Sequence, residues 1–195
     1  MPKNRCQLSQ PCIHHGSGRR DFFMGVLKAS VAGAVITLVP GALVSSVLAA
    51  PPPNQNDWRL CRRCRSLFYN GFPKKGVCPA RGRHDFDRVS NYKLTYNSSG
   101  PGQRDWRFCN KCFALFFDGY QNKGRCPAGD SHVAQGFNFS LRSDNQAVGQ
   151  REWRFCNKCE VMFFNRDNDK GICTAGGGHV AAGYVFILDN SVRFD

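Results

Sequence analysis

Histidine is scarce in this chain, and beyond residue 15 none stands outside a single recurring pattern. Of five His in 195 residues, only His84, His132 and His179 fall after residue 15. The chain holds 11 Cys, yet none after Cys12 lies outside the same pattern. With those histidines committed, no imidazole is left for general acid–base work or for activating a nucleophile. No Ser-His-Asp set can be assembled, and no glycine-rich phosphate loop is present. A Leu-x-Gly-Cys lipobox is missing too, which argues against a lipoprotein. Acidic residues are few, 14 Asp+Glu against 27 Lys+Arg, for a formal charge of +13. These absences argue against an enzyme and leave one dominant chemical feature.

That feature is the series Cys61-x2-Cys64-x13-Cys78-x5-His84. It recurs with unchanged spacing as Cys109, Cys112, Cys126, His132 and as Cys156, Cys159, Cys173, His179. Three sulfurs and one imidazole make four soft ligands, the number that a tetrahedral zinc ion takes. Three structural zinc ions are therefore expected, with iron as the alternative occupant of a thiolate-rich site. Disulfides are the rival wherever a chain works in an oxidising compartment. Each repeat, however, has an odd number of cysteines, and a disulfide gives no reason for a histidine at fixed distance in every copy. A catalytic zinc keeps an open position, whereas four protein ligands close the site. Lys111, Lys158 and Arg63 sit inside the Cys-x2-Cys knuckles, where a cation favours the thiolate.

The first fifty residues read differently. Gly18-Arg19-Arg20-Asp21-Phe22-Phe23-Met24 precedes an apolar run from Val31 to Val39, and small residues follow, ending Ser46-Val47-Leu48-Ala49-Ala50. A charged start, an apolar middle and a small-residue end are the parts of an export signal. The arginine pair followed by two phenylalanines resembles a bacterial twin-arginine signal, with Asp21, Met24 and the long lead-in as departures. Residues 1–49 are assigned to that signal, and Val47-x-Ala49 is the best cleavage site. The resemblance implies that a folded, already metal-loaded protein is exported and becomes secreted or periplasmic. It implies no stable membrane association after the signal is removed. An uncleaved anchor is the alternative, since Val31 to Ala50 is about as long as the roughly 20 residues that span a bilayer. Pro40, Gly41, Ser45 and Ser46 interrupt that stretch, and Lys28 precedes it. Cys6, Cys12, His14 and His15 lie ahead of the arginines and are set aside with the signal.

Residues 51–195 carry 22 Lys+Arg and 13 Asp+Glu, a formal +9. A divalent metal on three thiolates contributes −1 per site, which leaves about +6. Between Asp57 and Lys93 ten basic residues face three acids, while the two later repeats are nearly balanced. Arg62, Arg63, Arg65, Arg81 and Arg83 make the first repeat a candidate polyanion-binding face.

The remainder divides into a linker at 50–56 and repeats at 57–96, 105–142 and 152–189. The second repeat shows the scheme. Asp105-Trp106-Arg107-Phe108 and Gly136-Phe137-Asn138-Phe139-Ser140-Leu141 alternate bulky and polar residues as half-buried strands do. Leu115-Phe116-Phe117 reads as a short strand between two cysteine knuckles. Gly76, Gly124 and Gly171 precede the third cysteine of their repeats, where a positive φ suits the turn. Thr174 replaces Pro79 and Pro127 and is expected to loosen the third copy's second knuckle.

Two knuckles on hairpins around one metal resemble a zinc ribbon, with histidine replacing the usual fourth cysteine. The repeats also resemble a group of secreted bacterial proteins sharing W-x-x-C-x-K-C, F-F, G-x-C-P-A-G and a late His, a resemblance that implies no activity. The expected fold is all-β, with three zinc-ribbon-like repeats of about 47 residues. The repeats are either beads with separate cores or one closed barrel of pseudo-threefold, β-trefoil-like symmetry, a fold built from about four short strands per copy. Trp58, Trp106 and Trp153 would then be equivalent core or rim residues. The expected function is that of a secreted, non-catalytic binding protein for an envelope or extracellular polymer such as a glycan, with Tyr69, Phe72, Tyr120 and Tyr184 as stacking residues. Binding of nucleic acid or another polyanion by the first repeat is the alternative. Metal storage or sensing ranks last, because closed sites exchange slowly.

Overall fold

A computed structural model describes residues 53–86 and 88–190. The export-signal reading, with Arg19 and Arg20, lies outside the described residues. Among the described residues the protein is all-β, with nine strands and no helix. Each repeat supplies three: β1 Asn54–Leu60, β2 Leu67–Tyr69 and β3 Tyr92–Tyr96; β4 Gln103–Cys109, β5 Leu115–Phe117 and β6 Ala134–Leu141; β7 Gln150–Cys156, β8 Met162–Phe164 and β9 Ala181–Asn190. The strands therefore begin slightly ahead of the repeat boundaries read from the sequence, and β1 takes in part of the expected linker. There are three strands per repeat, fewer than a trefoil's four.

Within a repeat the first strand is central, with the short strand on one edge and the closing strand on the other, all antiparallel. Each central strand carries a bulge just before its tryptophan. The bulged residues Asp57, Asp105 and Glu152 adopt left-handed φ of 68, 66 and 73°. An extra residue at that point re-aims the following side chain, and here the tryptophan is sent inward. In two repeats an asparagine holds the bulge: the Asp57 amide donates to Asn91 Oδ1 at 2.9 Å, and that of Asp105 to Asn138 Oδ1 at 2.8 Å.

The repeats close on one another as a single nearly closed antiparallel barrel. β3 pairs with both β6 and β9, and Arg142 bridges to Ile187 between β6 and β9. The short strands form a second ring, bridging Phe68 to Ala114, Phe116 to Val161 and Phe163 to Ser66. Each of these contacts is the same one carried from repeat 1 to 2, 2 to 3 and 3 to 1. The core is accordingly shared. Trp58 meets Phe139 of the next repeat at 5.2 Å between ring centres, Trp106 meets Phe186 at 5.2 Å, and Trp153 meets Tyr92 at 4.9 Å. All three tryptophans are fully buried in one apolar cluster that draws on every repeat. Of the two packings left open by the sequence, separate beads are excluded.

Three buried candidate metal centres

The first knuckle of each site grows out of a central strand. The chain turns back directly after its second cysteine, where Arg65, Phe113 and Glu160 hold φ of 64, 68 and 64°. Their amides donate to the carbonyls of Cys61, Cys109 and Cys156 at 2.8–2.9 Å, which closes the turn. Left-handed backbone is uncommon for such side chains and persists only where the surroundings impose it. The second knuckle is closed by the Cys78 amide on Gly82 O, Cys126 on Asp130 O and Cys173 on Gly177 O, at 2.8, 2.9 and 2.8 Å. The third copy is as tight as the others, so Thr174 does not loosen it. The knuckle is held by its backbone bond, which does not require the proline.

The four ligand atoms of each set, Cys61, Cys64, Cys78 and His84 and their two equivalents, lie within 4.8 Å of one another. First-to-third sulfur separations are 3.9, 3.9 and 4.0 Å. The second sulfur lies 3.5, 3.4 and 3.4 Å from the histidine Nδ1. Metal–sulfur bonds of about 2.3 Å and metal–nitrogen bonds of about 2.0–2.1 Å in a tetrahedron give edges of about 3.8 and 3.5 Å. The observed edges fit. They do not fit a disulfide, whose sulfurs are about 2.04 Å apart, and all nine cysteines of the repeats are free thiols. Every ligand is buried, with no more than 4% of any side chain exposed. The sites are closed, and each can hold a metal ion.

The ligands perturb one another strongly. Hydrogen bonds from Cys64 and Cys78 hold the Cys61 thiol far below its ordinary range, and Cys109 behaves alike beside Cys112 and Cys126. Burial pushes Cys64 and Cys112 up. For His84 burial works downward, but hydrogen bonds with Cys61 and Cys78 outweigh it and raise the imidazole to about 9. His132 and His179 are likewise raised to about 9. Within each set the first cysteine is thus favoured as thiolate beside a histidine favoured as imidazolium, and a cation entering the set displaces protons.

What the sequence reading missed is how the sites are joined. With Nδ1 turned to the sulfurs, each ring has Nε2–H left to donate. His84 Nε2 reaches Cys112 O at 3.0 Å, His132 reaches Cys159 O at 3.1 Å, and His179 reaches Cys64 O at 3.0 Å. Each histidine therefore serves its own site through one nitrogen and the next repeat's knuckle through the other. Such outer contacts fix ring orientation and tautomer. The opposite restraint is a stacked phenylalanine: Phe68 on His84, Phe116 on His132 and Phe163 on His179, at 4.6, 4.9 and 4.7 Å. A phenylalanine four residues after the second cysteine in all three copies was the signal available in the sequence.

The knuckle cations act as clamps. Lys111 Nζ donates to Gly129 O at 2.5 Å, Lys158 to the carbonyls of Gly176 and Gly178, and Arg63 to Ala80 O, tying each first knuckle to its second. The candidate arginines are dispersed. Arg62 pairs with Asp85 at 2.9 Å, while Arg65 pairs with Asp167 at 2.8 Å and lies over the Phe164 ring. Arg81 and Arg83 are exposed. Of the four aromatic candidates, Phe72, Tyr120 and Tyr184 are exposed, whereas Tyr69 packs partly buried against the core.

Fold and sites together define an all-β protein of three repeats closed around one core, with a buried Cys3His centre in each. The chain matches no known protein-family model, no curated protein and no solved structure.

Proposed function

We propose that this is an exported, non-catalytic binding protein whose three sites hold structural zinc and whose surface binds a neutral extracellular or envelope glycan. The closure of the sites carries this reading. All four ligands are buried, and both nitrogens of every histidine are engaged, one toward sulfur and one on a carbonyl. A metal so enclosed lacks the open position that hydrolysis needs. Zinc suits three thiolates and one imidazole at these edge lengths, with iron second. The exposed rings of Phe72, Tyr120 and Tyr184 offer stacking surfaces on the rim. The twin-arginine-like segment supports export of the loaded protein. Binding to immobilised glycans, together with zinc content and free-thiol titration on the exported protein, is the test. Close to three zinc ions per chain and retention on at least one neutral polysaccharide are expected; no retention on any glycan overturns the binding role.

A second reading, polyanion binding, has one specific observation in its favour. Lys74, Lys75, Arg83 and Lys111 line a depression of about 710 Å³ that contains no acidic residue. Retention on heparin that falls steeply with salt supports it, and retention indifferent to salt removes it.

A further inference from the structure

The three seams between repeats are equivalent in backbone and unequal in side chains. At the seam between repeats 1 and 2, a cavity of about 200 Å³ opens to the surface. Its walls are the rings of Tyr69, Phe72, Phe108 and Phe137, and Gln55 and Gln135 supply polar groups. Tyr69, Phe72 and Phe108 lean on one another edge-on or tilted, at 5.1–6.0 Å between centres. Phe137 stacks on Tyr96 at 3.8 Å. Phe72 and Phe137 are nevertheless 48% and 38% exposed. No charged residue lines the cavity, on a chain whose formal charge is +13.

The corresponding positions elsewhere are altered. At the seam between repeats 2 and 3, Tyr120 takes the place of Phe72 and lies 5.0 Å from Phe117 and 6.1 Å from Phe155, but Ala182 stands where Gln135 does. At the seam between repeats 3 and 1 the equivalent of Phe72 is Asp167. It pairs with Arg65, whose guanidinium lies 5.3 Å from the centre of the Phe164 ring and covers it. Thus the first seam alone combines four aromatic walls with two amides, and the third is covered by an ion pair.

We propose that the cavity between repeats 1 and 2 is the primary subsite for one neutral pyranose ring of a polysaccharide. This rests on the glycan reading above and narrows it from the separate stacking rings of Phe72, Tyr120 and Tyr184 to one dominant site. An uncharged cavity of aromatic faces with a few fixed polar groups selects a neutral ligand with an apolar face and a hydroxyl-bearing edge. A pyranose has both: its axial C–H face lies on the rings while its hydroxyls meet the amides. The Gln55 amide is already oriented, because its Oε1 accepts the indole N–H of buried Trp58 at 3.1 Å. A proline-rich peptide also stacks on aromatic walls, but gives the amides fewer partners.

The test uses the full exported chain with cellotetraose, chitotetraose, maltotetraose and mannotetraose as probes, read by saturation-transfer NMR and calorimetry. Phe72→Ala and Gln135→Ala change exposed side chains away from the metal ligands, so metal content serves as the folding control for both. The expected result is binding of at least one probe, weakened about tenfold or more by Phe72→Ala, measurably by Gln135→Ala, and less than threefold by Tyr120→Ala. A probe that binds wild type and the Phe72→Ala protein equally overturns this subsite and leaves the glycan reading standing. Failure of every probe to bind wild type, while the protein is still retained on a neutral polysaccharide, also overturns the subsite alone. Failure on oligosaccharides and polysaccharides alike overturns both. Capture of a proline-rich peptide, lost in Phe72→Ala, with no sugar bound, assigns the cavity to peptide and overturns the proposal.

Discussion

At the level of single residues, the glycine ahead of each third cysteine serves two purposes. Gly124 has φ +66° and passes so close to the next repeat that a Cβ would stand 2.4 Å from Cys159 O. Gly129, with φ +98°, has open space around it. Gly124→Ala therefore combines left-handed strain with a backbone collision, and we expect it to lower stability by about 2 kcal/mol or more, against about 1 kcal/mol for Gly129→Ala. Chemical denaturation of the metal-loaded variants checks the difference. The positive φ was legible from a glycine recurring at one position. The collision was not, because the carbonyl it avoids is 35 residues further along the chain.

The histidines carry a second residue-level prediction. In the metal-free protein His132 is raised to about 9, burial being outweighed by its hydrogen bonds with Cys109 and Cys126. Below that pH the imidazole is protonated, and metal entry must expel its proton along with those of the remaining thiols. Apparent affinity should therefore rise with pH and fall on acidification. Calorimetric titration at pH 7 in buffers of different ionisation enthalpy should show net proton release; uptake would contradict the assigned ligands.

At the level of elements, each candidate metal centre is two knuckles pinned by a ring. The short strand β5 places Phe116 against His132 at 4.9 Å while its other members enter the shared core. Phe116→Ala should cost about 3–5 kcal/mol for the large-to-small change in the core. It should also speed chelator extraction from the Cys109 site beyond the other two, read by a chromogenic dye. The knuckles hold residues such as Phe113 at φ 68°, a conformation that the closed site imposes. Removing metal with a chelator under reducing conditions should abolish near-UV circular dichroism, and returning zinc should restore it, since binding energy at such sites is folding energy. The longer strands were readable because bulky and polar residues alternate along them, and the short ones because an apolar run such as Leu115-Phe116-Phe117 stands between two knuckles. The bulges before the tryptophans were not, because they depend on register against the closing strand.

At the level of the whole molecule, closure makes the sites interdependent in one direction. His132 Nε2 donates to Cys159 O, a backbone atom of the next site, whereas His84 reaches into the Cys109 site instead. His132→Ala should thus empty its own site and, by leaving Cys159 O without its donor, loosen to a lesser degree the one built on Cys156, Cys159, Cys173 and His179, whose own histidine keeps its partner Cys64 O. The Cys61 site should be affected least. Metal competition followed by mass spectrometry of the partly loaded protein resolves the three. Residues 103–142 alone should bind one zinc yet lack a fixed tertiary signal, since Trp106 would lose Phe186 and His132 would lose its carbonyl partner.

The amino-acid sequence by itself determined the ligands, their number and the all-β character. A spacing repeated three times identifies four soft ligands wherever the chain goes, and alternating bulky and polar residues mark the longer strands, although on β6 burial does not follow the alternation: Phe137 is exposed and Ser140 buried. Only the tertiary structure decided between beads and a closed barrel. It also decided that Arg65 is drawn to Asp167, and that one seam of three combines aromatic walls with two amides. Each of these depends on which repeat lies beside which, and repeats that share one pattern carry no local mark of their neighbours. A core of three tryptophans, each packed on an aromatic residue of the next repeat, buries in common what no repeat of this size buries alone.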